Sequence, residues 1–250
     1  MAKRKRSMKD APAPAPKKGK GKAAVKPAPK PAANDSEEDE VEMDFEELVA
    51  AGAALQKLGA VDAAAETFAK ALAMQPDDVD VMSSLAHSYE ACGEKVKAIA
   101  LHEKVVARVP TNAPTWFALG ALYQDVEKLE KAIGAFRKVI ALDDVNASVA
   151  FAALANVYGE QGDIDGAVGV FESAVAKDPT NAKYQYNLAT MLVARGTKVD
   201  QKKAIAAYET ALSLETNRQR DIYDDLAALY DSMGNTTKAA HAREMMAKRG

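Results

Sequence analysis

APTWFALGALYQDVEKLEKAIGAFRKVIALDDVN, residues 113–146, is the stretch whose reading decides the fold. Its 34 residues read as two short amphipathic helices joined by a turn. Trp116, Leu119, Gly120 and Tyr123 stand at i, i+3, i+4 and i+7, which places them along one helical face. Ala132, Phe136 and Val139 repeat that logic on a second helix. One such pair cannot bury its apolar face alone, so the unit makes sense only if it recurs.

It recurs in both directions. Repeats begin near Phe45, Val79, Ala113, Ser148, Ala182 and Arg220, and span about 45–78, 79–112, 113–146, 148–181, 182–218 and 220–250. One extra residue near Ala147 separates the third from the fourth. Three extra residues in the fifth fall between Thr197 and Lys203, where the reading puts a longer inter-helix turn. The eighth place of each repeat is Gly52, Ala86, Gly120, Ala155, Ala189 and Ala227; the twentieth is Ala64, Ala98, Ala132, Ala167, Ala204 and Ala239. Helices cross closely only where side chains shrink, so these places mark the contact within each pair. Larger knobs surround them. Leu48, Met82, Trp116, Phe151, Gln185 and Tyr223 hold the fourth place, and Leu55, Tyr89, Tyr123, Tyr158, Leu192 and Tyr230 the eleventh. The second helices add Phe68, Phe136, Phe171 and Tyr208.

The punctuation keeps the same period. Gly59, Gly93, Gly162, Gly196 and Gly234 sit where a first helix must stop, with Glu127 the one departure. Pro76, Pro110 and Pro179 end second helices, with Asp144 and Thr216 in proline's place elsewhere. Asn112, Asn146 and Asn181 stand where a side-chain oxygen caps the next first helix. Arg243, Met245, Met246 and Lys248 suggest a partial C-terminal cap with some apolar surface left over.

The Trp, Leu-Gly, Tyr, Ala, Phe order of residues 113–146 resembles the tetratricopeptide repeat (TPR). The resemblance covers everything from Phe45 onward. It implies an all-α fold, a right-handed α-solenoid of six helix-turn-helix repeats.

Ahead of the array, residues 1–44 read as a disordered arm. Residues 1–33 carry eleven Lys or Arg against Asp10 alone, and little in them can offset backbone ordering entropy. Residues 34–47 carry nine Asp or Glu and no base. The whole chain's net charge of −3 conceals this partition. Lys3, Arg4, Lys5 and Arg6, then Lys17 and Lys18 about twelve residues on, resemble a bipartite nuclear-import signal. That places the protein in the nucleus, with shuttling to the cytoplasm. The alternative is a polyanion-binding tail: eleven bases could neutralise phosphates without reading sequence, because no aromatics are interleaved for stacking. Ser36, followed by Glu37, Glu38 and Asp39, resembles an acidophilic-kinase site.

Several classes of function find no support. No run approaches 18 apolar residues, so no membrane span is expected, and the N-terminus lacks the apolar core of a secretory signal. Cys92 is the single cysteine, which excludes an internal disulfide framework. The sequence has no glycine-rich phosphate loop and no nucleophile elbow. His87, His102 and His241 fall at unrelated places, with His102 at a packed aromatic place and His87 on the groove face. No enzyme, metal, cofactor or small-molecule substrate is expected.

The resemblance implies instead a protein-binding scaffold or adaptor, whose first helices line a concave groove that takes extended peptides. The two-carboxylate clamp of heat-shock co-chaperones is not reproduced. Asn156 and Asn187 fit its two asparagines, but Ala152, Asp221 and Asp225 stand where it needs bases. On the first three repeats Val49, Ala53, Ser84, Pro114 and Ala118 hold its five places. The groove residues left are Phe117, Val149, Tyr186, Asn156, Asn187 and Lys183, followed by Asp221, Asp224, Asp225 and Asp231. Glu90, Asp125 and Glu160 add negative charge earlier. A groove of that sign suits a basic partner segment, and a chaperone-like escort of a basic nuclear client is the specific version.

Overall fold

The small, invariantly apolar places of the repeat become the closest contacts of the folded chain. The computed structural model describes residues 43–142, 147–214 and 218–248. The basic clusters, Ser36 and the rest of 1–42 lie outside them, as do Asp144, Asn146 and Thr216. Twelve helices stand among the described residues, in six pairs: α1 (Phe45–Lys57) and α2 (Val61–Met74); α3 (Val79–Ala91) and α4 (Lys95–Arg108); α5 (Ala113–Asp125) and α6 (Leu129–Leu142); α7 (Ala147–Glu160) and α8 (Ile164–Lys177); α9 (Ala182–Arg195) and α10 (Lys198–Leu214); α11 (Gln219–Ser232) and α12 (Thr236–Ala247). Each packs on the helix before it and the helix after it, the stacking of an α-solenoid.

Within pairs, the expected crossing places are buried. Ala64, Ala98, Ala132, Ala204 and Ala239 are fully enclosed, and Gly52 and Gly120 lie against the rings of Phe68 and Phe136. A Cβ at Gly120 would fall 2.6 Å from the Phe136 ring. In the second repeat, where that place is Ala86, the facing aromatic place holds the smaller His102.

First helices end as the glycines require. After α1 the Gly59 N–H donates to the Gln56 carbonyl and the Ala60 N–H to that of Leu55, the paired bonds of a Schellman motif. The same pair of bonds follows α3, α5, α7 and α11. At α5 the left-handed residue is Glu127, with φ 57°, where the other repeats have glycine. A side chain there carries a steric cost that glycine avoids. Glu127→Gly is therefore expected to stabilise the array by about 1 kcal/mol, read from urea unfolding; a lower midpoint would contradict the assignment of strain.

Short polar side chains cap several helix N-termini. Asn112 and Asn181 accept from the Thr115 and Tyr184 N–H groups as expected. Asp44, Asp78, Asp163 and Asn235 do the same, and Asp44 forms a reciprocal capping box with Glu47. Gln185, polar at a place otherwise mostly apolar, is explained by Trp116. The Trp116 indole donates to the Pro110 carbonyl at 2.8 Å, and the Gln185 amide donates to the Pro179 carbonyl at 3.0 Å. The first closes the junction of α4 with α5, and the second the equivalent junction of α8 with α9.

One expectation is corrected. The extra residues of the fifth repeat do not lengthen a turn; they lengthen α10, which begins at Lys198 and runs 17 residues. Thr197 accepts from the Asp200 N–H at 3.1 Å and so starts the helix early. Asp200, only 2% exposed, is held there by Arg195, with Nε and Nη2 at 2.9 and 2.6 Å. At the C-terminal end Arg243 pairs with Asp231 and leaves Met245 and Met246 half-buried.

Candidate functional site

First helices also touch across repeats, α1 with α3 and α5 with α7, and second helices do not approach one another to that extent. A stack that is tighter on one side curves toward it. The first-helix face is therefore the concave one, as the resemblance implies.

Along that face two aromatic side chains are anchored from behind. The Phe117 ring meets Phe136 edge-on, with centroids 5.5 Å apart. The Tyr186 ring lies 5.7 Å from that of Tyr208. Each anchor thus leans on the second helix of its own repeat, which fixes its orientation before any partner arrives. Phe117, Pro114, Ala113, Val139 and Val149 enclose an apolar cleft of about 270 Å³, with Val149 54% exposed at its mouth.

The acidic residues divide into two groups. Those of the early repeats are answered internally. Glu90 pairs with His102, which is 5% exposed and packed as the sequence suggests; Asp125 binds Lys95 at 2.6 Å. Glu160 accepts from the Gln124 amide at 2.5 Å. Asp231, expected on the same face as Asp221, instead reaches Arg243 on α12. The helical turn explains this, since ten residues rotate it about 80° away from Asp221.

The sixth repeat differs. Asp221 and Asp224 are exposed and meet no cation or donor among the described residues. Asp225 accepts from the Tyr186 hydroxyl at 2.9 Å, a bridge from α9 to α11 across the groove. Burial, and then this hydrogen bond, push the Tyr186 hydroxyl up, so it remains a donor at neutral pH. The Arg218 guanidinium lies over the same ring at 5.4 Å. Asn156 and Lys183 are exposed and Asn187 half-buried, and none of the three side chains has a hydrogen-bond partner among the described residues. The structure thus brings Tyr186 and Asp225 together and leaves Asn156, Asn187, Asp221 and Asp224 open to a ligand.

His87 is exposed. Asp62, by its hydrogen bond, and then desolvation push the Cys92 thiol up, away from the thiolate a nucleophile needs. Among the described residues no group of three His, Cys, Asp or Glu is placed to hold a metal ion. No described helix is long and apolar enough to cross a membrane.

Paired helices in a stack, with one face lined by fixed aromatics and open polar groups, define a helical-repeat scaffold for protein–protein interaction. The family model for the middle TPR-like domain of cilia and flagella-associated protein 70 matches residues 82–249, and a general tetratricopeptide repeat model matches 49–113. The chain belongs to this TPR family. No curated protein matches it. Among solved structures, MamA is 24% identical, with 70% of this chain and 93% of that one covered at a TM-score of 0.58. YrrB, described as a TPR protein with an unusual peptide-binding site, is 17% identical over 82% of this chain and 95% of its own, with a TM-score of 0.53. Pseudomonas aeruginosa pilF is 17% identical over 82% and 90%, with a TM-score of 0.53. At such identities the likeness is one of fold.

Proposed function

We propose that the array is a non-enzymatic scaffold that holds an extended, basic segment of a partner protein along the first-helix groove, and that it serves as an escort in nuclear assembly. The observation that carries the charge of the partner is the open pair Asp221 and Asp224 beside the Tyr186–Asp225 bridge. Phe117 and Tyr186 supply rigid apolar contact, and Asn156 and Asn187 each offer a donor and an acceptor to a peptide backbone. The nuclear part of the reading rests on the basic clusters at Lys3–Arg6 and Lys17–Lys18.

A pull-down at varied salt tests the groove. Basic clients are expected to be retained by the full chain at moderate salt. They should be lost, with affinity down at least about tenfold, from Asp221→Lys/Asp224→Lys. Both residues are exposed, so the variant keeps the fold; unchanged capture by it would sink the reading. Deleting residues 1–33 tests the address separately. Nuclear accumulation is expected to fall while the captured proteins stay the same. Loss of nucleic-acid retention with unchanged import would favour the polyanion-tail reading instead.

A further inference from the structure

The second-helix face carries a side-chain latch that recurs between repeats. Glu103, at the twenty-fifth place of the second repeat, accepts from the hydroxyl of Tyr123, at the eleventh place of the third. Lys131, at the nineteenth place of that third repeat, reaches Glu103 at 3.2 Å and lies 5.0 Å over the Tyr123 ring. Glu209, Tyr230 and Lys238 hold the same three places at the last joint. There Lys238 lies 5.2 Å over the ring, and burial followed by Glu209 pushes the Tyr230 hydroxyl up.

Between the third and fourth repeats the latch is rewired. Tyr158 keeps the eleventh place, but Arg137 stands where Glu103 and Glu209 do at those two joints, and Gly166 stands where Lys131 and Lys238 do. Arg137 Nη2 donates to the Tyr158 hydroxyl at 2.6 Å. The Tyr158 ring has moved into the space of the missing side chain, since a Cβ at Gly166 would lie 2.6 Å from it. What remains between α6 and α8 is a slot of about 400 Å³, floored by Phe151 and Leu154 and walled by Ile140, Val170 and the bare Gly169. Arg137 is exposed at its rim, and the Tyr158 hydroxyl is its one partner among the described residues. The other latched joints close with the protein's own carboxylate. Among the described residues, no carboxylate pairs with the Arg137 guanidinium here.

We propose that this slot docks a second kind of partner segment, one with a leucine or aromatic side chain flanked by Asp or Glu. The apolar side chain fills the slot. The carboxylate takes two hydrogen bonds from the Arg137 guanidinium, the geometry that favours arginine at such sites. The site lies on the face opposite the groove and selects the opposite charge, so one array could hold two partners at once.

The Gly166 and Gly169 amides are natural reporters inside the slot. Two peptides of equal apolar content, acetyl-Gly-Asp-Leu-Phe-Asp-Gly-amide and acetyl-Gly-Lys-Leu-Phe-Lys-Gly-amide, are titrated into the full chain and followed by amide NMR. The acidic peptide is expected to shift both glycine signals saturably, and the basic one to bind at least about tenfold more weakly. In Arg137→Glu/Gly166→Lys, which rebuilds the latch of the two Glu–Tyr–Lys joints, the Gly169 response should vanish while the thermal midpoint holds or rises. Lys238 behind the Asn235 cap shows that lysine fits at that place. Arg137→Gln, which keeps a donor for Tyr158 and removes the charge, should erase the preference between the peptides. Equal shifts from both peptides, no shift from either, or unaltered binding in both variants would overturn the proposal.

Discussion

Phe136→Ala is expected to destabilise the array by about 3–5 kcal/mol. The ring is 1% exposed, and its removal empties the contact between α5 and α6 at the point where Gly120 allows the helices to approach most closely. Phe117 leans edge-on against the same ring, so the groove anchor loses its backing as well. Because each repeat is stable only on its neighbours, the loss spreads to the central core shared by the second to fifth repeats. Urea unfolding followed by circular dichroism checks the value. A loss under about 1 kcal/mol would mean that the aromatic second-helix place is not what holds a pair together.

Asp200→Asn is the second variant expected to act strongly, and its effect depends on pH. The Arg195 guanidinium first, and the Thr197 hydroxyl next, hold the Asp200 carboxyl far below the usual carboxylate range. Arg195 also reaches Asp165 at 3.0 Å, so one guanidinium ties α8, α9 and α10 together. A carboxyl whose pKa is depressed on folding contributes stability that is fully present above its unfolded value of about 3.9, and that disappears as pH falls toward the folded value. Thermal midpoints of the unmodified chain should therefore drop steeply from about pH 5 to pH 2. Those of Asp200→Asn should start lower at neutral pH, fall less over that window and converge at the acid end. Parallel curves would contradict the assigned role.

Much of this fold is legible without coordinates because the repeat writes the same physical requirements at one fixed period. The alanine and glycine places give the crossing points, the glycines give the left-handed stops, and the Trp116 stretch gives the helix faces. The stretch Thr197–Lys203 misleads for a definite reason. Its lysines have no apolar period to separate helix from turn, and the side chain that fixes the helix start, Asp200, is buried by an arginine from the preceding helix. The groove was readable as a set of residues, but not as a field. Whether Glu90, Asp125 and Asp231 are free depends on partners 12 to 30 residues away, which only packing brings near. The Glu–Tyr–Lys latch did leave a signal at three fixed places. It becomes visible when the repeats are aligned on charge as well as on size.

The central claim is that a basic segment lies along the first helices and that the sixth repeat selects it. Hydrogen exchange of the full chain with and without a lysine- and arginine-rich client peptide tests it most directly. New protection is predicted on α9 and α11, around Tyr186 and Asp221–Asp225, and should be absent in Asp221→Lys/Asp224→Lys. Protection confined to the second helices, or unchanged by that variant, would contradict the account.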